Sequence, residues 1–254
     1  MSKIRISTRT DNNGKDNEDS LIAIRQNDRA VLCVADGVGG TDAGEIASRY
    51  ITKTLETWLQ EKDVNTMGKK TTHRELTSLV TRMHEDLLAI AEEKGGVTMG
   101  STLTLAVVGI GKVVIENIGD SRTYVCQQGC CRQITLDQTV ENYERVTGDE
   151  VDYVEEDRKA HTLMQSIGFG SRVPRPMMYE VDIAEDVDIL LCSDGLSNTL
   201  GEHEIQAELQ KRQSGTKVLQ NLIAKAKSRG ETDNITAVLY RRRKDQKSTT
   251  HRLG

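Results

Sequence analysis

The sequence predicts an α+β layered domain. Three observations carry this prediction: short β-like runs separated by Gly, Asn and Asp turns, two long amphipathic helical patterns, and no alternating strand–helix–strand units. Strands that follow one another through tight turns pair antiparallel, and long amphipathic helices need a partner face to bury their apolar stripe. A doubly wound parallel sheet is disfavoured by the same pattern.

The first strands expected are Leu21–Arg25 and Val31–Ala35, joined by the polar turn Gln26–Asp28. After Thr41, the residues Ile46, Ala47, Tyr50, Ile51, Leu55, Trp58 and Leu59 recur at three- and four-residue spacing, which predicts a helix to about Glu61. Leu76, Leu79, Val80, Met83, Leu87, Ile90 and Ala91 mark a second helix, and Gly95–Gly96 suits its C-terminal cap. Thr102–Val108 and Val113–Ile118 pair around Gly109 and Gly111, and Thr123–Cys126 and Arg132–Thr135 flank the turn Gln127–Gly129. Between Leu136 and Pro176 the pattern weakens: acidic residues crowd Asp149–Asp157, and Gly168 and Gly170 flank Phe169. That stretch, 136–176, reads as a mobile helical flap. Asp188–Cys192 is a further strand, His203–Lys211 and Lys217–Ser228 are helices, and Thr236–Tyr240 is the last strand. One domain is expected over residues 1–243. The basic run Arg241–Gly254 reads as a solvated, frayed end, with residues 244–254 as a polar tail.

The chain has 254 residues and a net charge of −5, so a general role on nucleic acid or anionic membranes is disfavoured. No apolar run approaches the ~20 residues of a membrane span. Met1–Arg9 lacks the apolar centre of a signal peptide. A cytoplasmic monomer is expected. The five cysteines are odd in number and unevenly placed, so no disulfide framework is expected; Cys33 and Cys192 read as small core residues.

The chemistry lies in acidic residues at strand ends. Val31–Gly40 reads VLCVADGVGG: an apolar strand runs into Asp36, then a glycine-rich turn at which Gly37 lets the backbone carbonyl face a site. Asp188–Ser197 reads DILLCSDGLS and puts Asp194 at the end of a second apolar strand. TDNIT at 232–236 places Asp233 before the last strand, NEDS at 17–20 places Glu18 and Asp19 before the first, and NIGDSR at 117–122 places Asp120 in a turn. Each alone is an ordinary turn residue. Carboxylates converging on one place repel and desolvate each other, and hard cations such as Mg²⁺ or Mn²⁺ are the natural compensation.

In order and spacing, NEDS, DGVGG, the GST-type strand start at Gly100–Thr102, GDSR, LLCSDGLS and TDNIT resemble the metal-dependent serine/threonine protein phosphatases of the type 2C class, especially their compact bacterial members. The resemblance spans about Arg5 to Arg241. It implies a four-layer α-β-β-α sandwich of two antiparallel sheets flanked by helix pairs, with the site at one end. It implies that Asp36 bridges two ions, that the Gly37 carbonyl, Asp194 and Asp233 complete the set, and that Glu18 and Asp19 orient waters around them. Asp120 with Asp194 is implied to hold a third ion, and Asn234 to support its loop. The implied reaction is attack of an activated water on phosphoserine or phosphothreonine in proteins phosphorylated by a kinase, with Mn²⁺ or Mg²⁺ as cofactor.

Two positions depart from the family. Gly14 stands where members commonly carry a phosphate-gripping arginine, which leaves Lys15 and Arg9 as candidate cations. Val38 stands where eukaryotic members often carry a histidine. Two other readings stay open. Cys126–Arg132 fits a Cys-x₅-Arg phosphate loop, which would make Cys126 a nucleophile and Arg132 its phosphate ligand, although the flanks read as a hairpin. A phosphoprotein-binding member of the fold without turnover is the other. His73, His84, His161, His203 and His251 are scattered and form no zinc motif.

Overall fold

The computed structural model describes residues 2–39, 43–63, 67–148 and 162–244. Two antiparallel sheets stack face to face. One has the order β1 (Ser2–Asp11), β11 (Ile235–Lys244), β10 (Val187–Cys192), β7 (Arg122–Gln127), β8 (Cys130–Gln133). The other runs β2 (Asp19–Gln26), β3 (Arg29–Gly39), β5 (Leu103–Val108), β6 (Lys112–Ile118), β9 (Met177–Asp182), with β4 (Met99–Ser101) added to β3.

Strand side chains alternate between faces, and both faces of the central strands are covered. Leu32 and Val34 of β3 meet Ile189, Leu191, Val238 and Tyr240 of the opposite sheet. Val31, Cys33 and Ala35 point the other way, into α1 (Ala43–Gln60) and α2 (Lys69–Glu93). Leu190, Cys192, Ala237 and Leu239 pack against α5 (Glu202–Leu209) and α6 (Gly215–Ser228). Two-sided burial is why these strands read as unbroken apolar runs rather than alternating ones. The expected four-layer arrangement is observed.

Several elements differ from expectation. β1 and β9 were not anticipated. Both are edge strands with one wet face, so their apolar signal is thin: Ile4 and Ile6 alternate with charged residues, and β9 is exposed at Met177, Glu180 and Asp182. β3 does not end at Ala35 but runs on to Gly39, where it pairs with β4. β8 stops at Gln133, and α2 begins at Lys69, before its apolar stripe. The basic end is not frayed as far as Lys244: Arg241 and Arg243 pair with the buried Asp188 (3.0 and 2.6 Å), and Arg242 is itself buried. The tail 245–254, the acidic run 149–157 and His161 lie outside the described residues.

The flap is anchored rather than loose at its base. Asp137, Gln138 and Thr139 are buried, α3 (Val140–Thr147) follows, and the bridges Thr139↔Leu163 and Ser101↔Ile167 tie the returning chain down. Cys126 and Cys131 face each other across the β7–β8 hairpin and are disulfide-bonded, contrary to the expectation from cysteine count.

Candidate metal centre

Both sheets deliver acidic residues to one end of the sandwich. Asp19 of β2 and Asp36 of β3 are direct cross-strand partners. Asp120 lies between β6 and β7, Asp194 opens the short helix α4 (Asp194–Ser197) after β10, and Asp233 precedes β11. Glu18, Asp36, Asp120, Asp194 and Asp233 line a single cavity of about 240 Å³, with Gly37, Thr102, Leu163 and Asn234 in its wall. Asp19 is buried at 5% exposure, and one of its carboxylate oxygens accepts from Ser193 Oγ (2.9 Å).

The two Asp-Gly pairs have a common reason, and it is not a turn. Gly37 is a strand residue opposite Ser101. A β-carbon there would fall 2.1 Å from the Gly44 carbonyl oxygen and 2.7 Å from that of Glu18. At Gly195 it would fall 2.3 Å from the Asn234 carbonyl oxygen. Glycine lets neighbouring backbone close on the residue after each aspartate.

Polar contacts fix the acidic set. The Asp36 N–H donates to Thr102 Oγ1 (3.0 Å), the Thr102 N–H donates to the Asp36 carbonyl (2.8 Å), and Thr102 Oγ1 lies 2.8 Å from Ser121 Oγ. Asn234 ties three loops: its Oδ1 accepts from the Glu18 N–H (2.8 Å) and its amide donates to the Asn12 carbonyl (3.3 Å). The Asp233 N–H donates to the Glu231 carboxylate (2.9 Å), and the Asn13 amide donates to the Asp233 carbonyl. Asp194 Oδ2 accepts from Asn198 (3.1 Å). Arg122, two residues past Asp120, holds Asp137 with a bidentate fork and donates to the Ser197 carbonyl (2.9 Å), locking the Asp120 turn to α4 and the flap base.

Burial and mutual repulsion act on the carboxyls in one direction. Desolvation, then the charges of Asp19, Asp194, Asp120 and Asp233, holds Asp36 well above the usual carboxylate range. Desolvation followed by Asp194 and Asp137 pushes Asp120 up to about 8, and desolvation pushes Asp19 up to about 7. Glu18 is raised by burial and by Asp233. These residues fit a hard divalent cation: the donors are all oxygen, and among the described residues no hydrogen bond reaches the buried Asp19 Oδ1. Among the described residues no three His, Cys, Asp or Glu side chains close into one ligand shell; the carboxylates ring the cavity instead.

Neither candidate phosphate cation lines the cavity. Arg9 stands on the face of β1 that, at Ser7, packs on Gly215 of α6, so strand alternation turns it away. Lys15 is exposed and lies near Glu231, whose carboxyl its charge helps to lower. The cysteine reading fails: Cys126 is bonded to Cys131, and the loop runs strand to strand with no helix N-terminus to receive an anion. Thr102, Ser121, Ser193 and Leu163 carried no role in the sequence reading. Hydroxyls at strand ends look like ordinary β residues, and Leu163 arrives through the flap, where periodicity is weak.

Residues 8–239 match the family model described as protein phosphatase 2C. The chain belongs to the protein phosphatase 2C family. It is 31% identical to the serine/threonine phosphatase stp of Listeria innocua over 236 residues, which covers 91% of this chain and 92% of that protein. Among solved structures, it resembles the serine/threonine phosphatase Stp1 from Staphylococcus aureus, with 26% identity, a TM-score of 0.80 and coverage of 95% of each chain. It also resembles the catalytic domain of the serine/threonine protein phosphatase PstP in complex with two manganese ions, at 28% identity and TM-score 0.79, covering 96% of this chain and all of that one. Membership of the phosphatase 2C family accounts for the two-sheet sandwich and for the order of the acidic segments along the chain.

Proposed function

We propose that this chain hydrolyses phosphoserine and phosphothreonine in proteins, using hard divalent ions held by Asp36, the Gly37 carbonyl, Asp194 and Asp233. The observation that carries the reading is the set of five carboxylates from both sheets on one 240 Å³ cavity, in a chain of this family. The named relatives are serine/threonine phosphatases, and the PstP catalytic domain binds two manganese ions. Manganese or magnesium is the proposed cofactor, as a pair, with a third ion at Asp120 and Asp194.

Bound there, such ions supply a hydroxide nucleophile near neutral pH and offset charge on the phosphoryl oxygens. The chain's own groups do the positioning. Thr102 and Ser121 fix the backbone of Asp36, and Asn234 fixes the backbone of Glu18 beside Asp233. Glu18 at the cavity wall and Asp19, the buried cross-strand partner of Asp36, orient water, Asp19 having one oxygen committed to Ser193. Lys15 is the better placed of the two phosphate cations, since its loop carries Asn12 and Asn13, which bond the Asp233–Asn234 segment. We further assign the chain to the cytoplasm as a monomer acting on the targets of a serine/threonine kinase. No helix among the described residues is long and apolar enough to cross a membrane.

The test is hydrolysis of a phosphothreonine peptide with Mn²⁺ and with EDTA. Wild-type protein should turn over only with metal. Asp36→Asn and Asp194→Asn should each lower kcat by at least about a hundredfold, more than the loss of an outer-shell contact. Lys15→Ala should raise KM with kcat little changed. Near-normal turnover in either aspartate variant would remove the ligand assignment, and tight peptide binding with no turnover in any condition would make the chain a binding protein.

A further inference from the structure

Beside the acidic cavity lies a second and larger hollow of about 1020 Å³, formed where the flap returns to the body of the domain. The two share Leu163, which lines both, so they adjoin. Exposed apolar side chains stand among polar ones in its walls: Phe169 is 55% exposed, and Met164 and Val173 are 40% exposed each. Such side chains grouped around one groove mark a contact surface more often than chance exposure does. Arg172 and Arg175 reach the same groove.

The loop carrying these residues is held in shape. Ser101 and Ile167 exchange backbone hydrogen bonds (2.9 Å each), and the Gly168 N–H donates to the buried His84 Nδ1 (3.0 Å). The Arg175 N–H donates to Gln165 Oε1 (2.8 Å), and Pro174 and Pro176 are buried on either side of it. Both arginines are exposed, and among the described residues neither guanidinium has an ion-pair or hydrogen-bond partner. The neighbouring ion cavity is lined by the carboxylates Glu18, Asp36, Asp120, Asp194 and Asp233. Two unpaired guanidinium groups, three residues apart on a fixed loop, repel each other and favour an anion shared between them.

Resting on the phosphatase reading, we infer that this groove binds the polypeptide flanking the phosphorylated residue, and that Arg172 and Arg175 select substrates carrying aspartate or glutamate there. The ion cavity takes the phosphoryl group, and the arginine pair supplies complementary charge to acidic residues flanking it. Phe169, Met164 and Val173 supply the apolar surface along which an extended chain lies. A phosphoryl group small enough to enter the cavity alone never reaches the groove.

The experiment uses the full chain with Mn²⁺ and phosphothreonine peptides whose flanks are neutral, acidic, or neutral with a second phosphothreonine, alongside p-nitrophenyl phosphate. The acidic peptides should exceed the neutral one in kcat/KM by about tenfold, through KM, and the gain should shrink as salt is raised. Arg172→Gln/Arg175→Gln should abolish that preference and leave p-nitrophenyl phosphate turnover unchanged. Fluorescence anisotropy of the same peptides in EDTA reads groove binding apart from turnover, so loss of all hydrolysis would sink the phosphatase reading while the acidic preference in binding still reports on the groove. An acidic preference that survives in the double variant, no preference in wild type, or a gain for the second phosphate alone would each overturn the assignment.

Discussion

At the scale of single residues, the most informative position is a glycine rather than a carboxylate. A β-carbon on Gly195 would meet the Asn234 carbonyl oxygen at 2.3 Å, and that oxygen belongs to the backbone of a loop fixed by Asn234 itself. Backbone must then move, and it moves Asp194 away from Asp233. Gly195→Ala should therefore cost about 1–3 kcal/mol and lower turnover together. Gly201, with ordinary negative φ and nothing within 4 Å of its hypothetical β-carbon, provides the control. Gly201→Ala should stay within about 0.5 kcal/mol of wild type. Urea denaturation of the two variants checks this; equal losses would show that the close approach at Gly195 is not structurally demanding. The acidic residues were legible in the sequence because each follows or precedes an apolar run. The residues that aim them were not. Thr102, Ser121 and Ser193 act through contacts 19 or more residues away, or across sheets, and a hydroxyl carries no local signal of such a partner.

At the scale of elements, one of the contacts that hold the flap is made with α2. His84 is buried at 1% exposure on that helix, and its Nδ1 accepts from Gly168, which places the ring proton on Nε2. Burial lowers its pKa, against the raising effects of Glu85 and of the Gly170 backbone. The sign follows from which state takes the proton first. As pH falls through about 6.5, the ordinary histidine value, the unfolded chain is protonated while the folded ring resists. The stability this site contributes is therefore present above that pH and is lost as pH drops through it. His84→Leu removes the acceptor and should cost about 1–3 kcal/mol at about pH 7.5, because the Gly168 N–H is left unpaired. The gap between wild type and variant should narrow at about pH 5.5. Denaturation midpoints at both values decide it; a constant gap would mean that His84 does not hold a neutral contact. The helices and central strands were readable because their apolar spacing repeats. β1, β9 and the flap base were not, since edge strands and hydrogen-bonded loops are stabilised by partners far along the chain, such as Arg122 for Asp137.

At the scale of the whole molecule, the fold concentrates like charge at one end of a sandwich whose layers are held by apolar clusters. Three separate apolar clusters, one between the sheets and one beneath each helix pair, stabilise the layers. The carboxylates work against them, since Asp36 is desolvated and faces four other aspartates. Function and stability are therefore opposed in the metal-free protein, and ligand binding to the folded state restores the difference by mass action. Asp36→Asn removes the most repelled charge while keeping nearly the same volume. In EDTA the variant should be more stable than wild type by about 1–2 kcal/mol, a rise in Tm of roughly 2–8 °C for a domain of this size. Saturating Mn²⁺ should raise the Tm of wild type and leave that of the variant nearly fixed, so that the order of the two proteins inverts. Calorimetry with and without metal reads both effects. If Asp36→Asn melted lower than wild type in EDTA, the carboxylate would be stabilising the fold by its hydrogen bonds rather than straining it by its charge, and the ring of acidic side chains would need a structural rather than a metal-holding explanation.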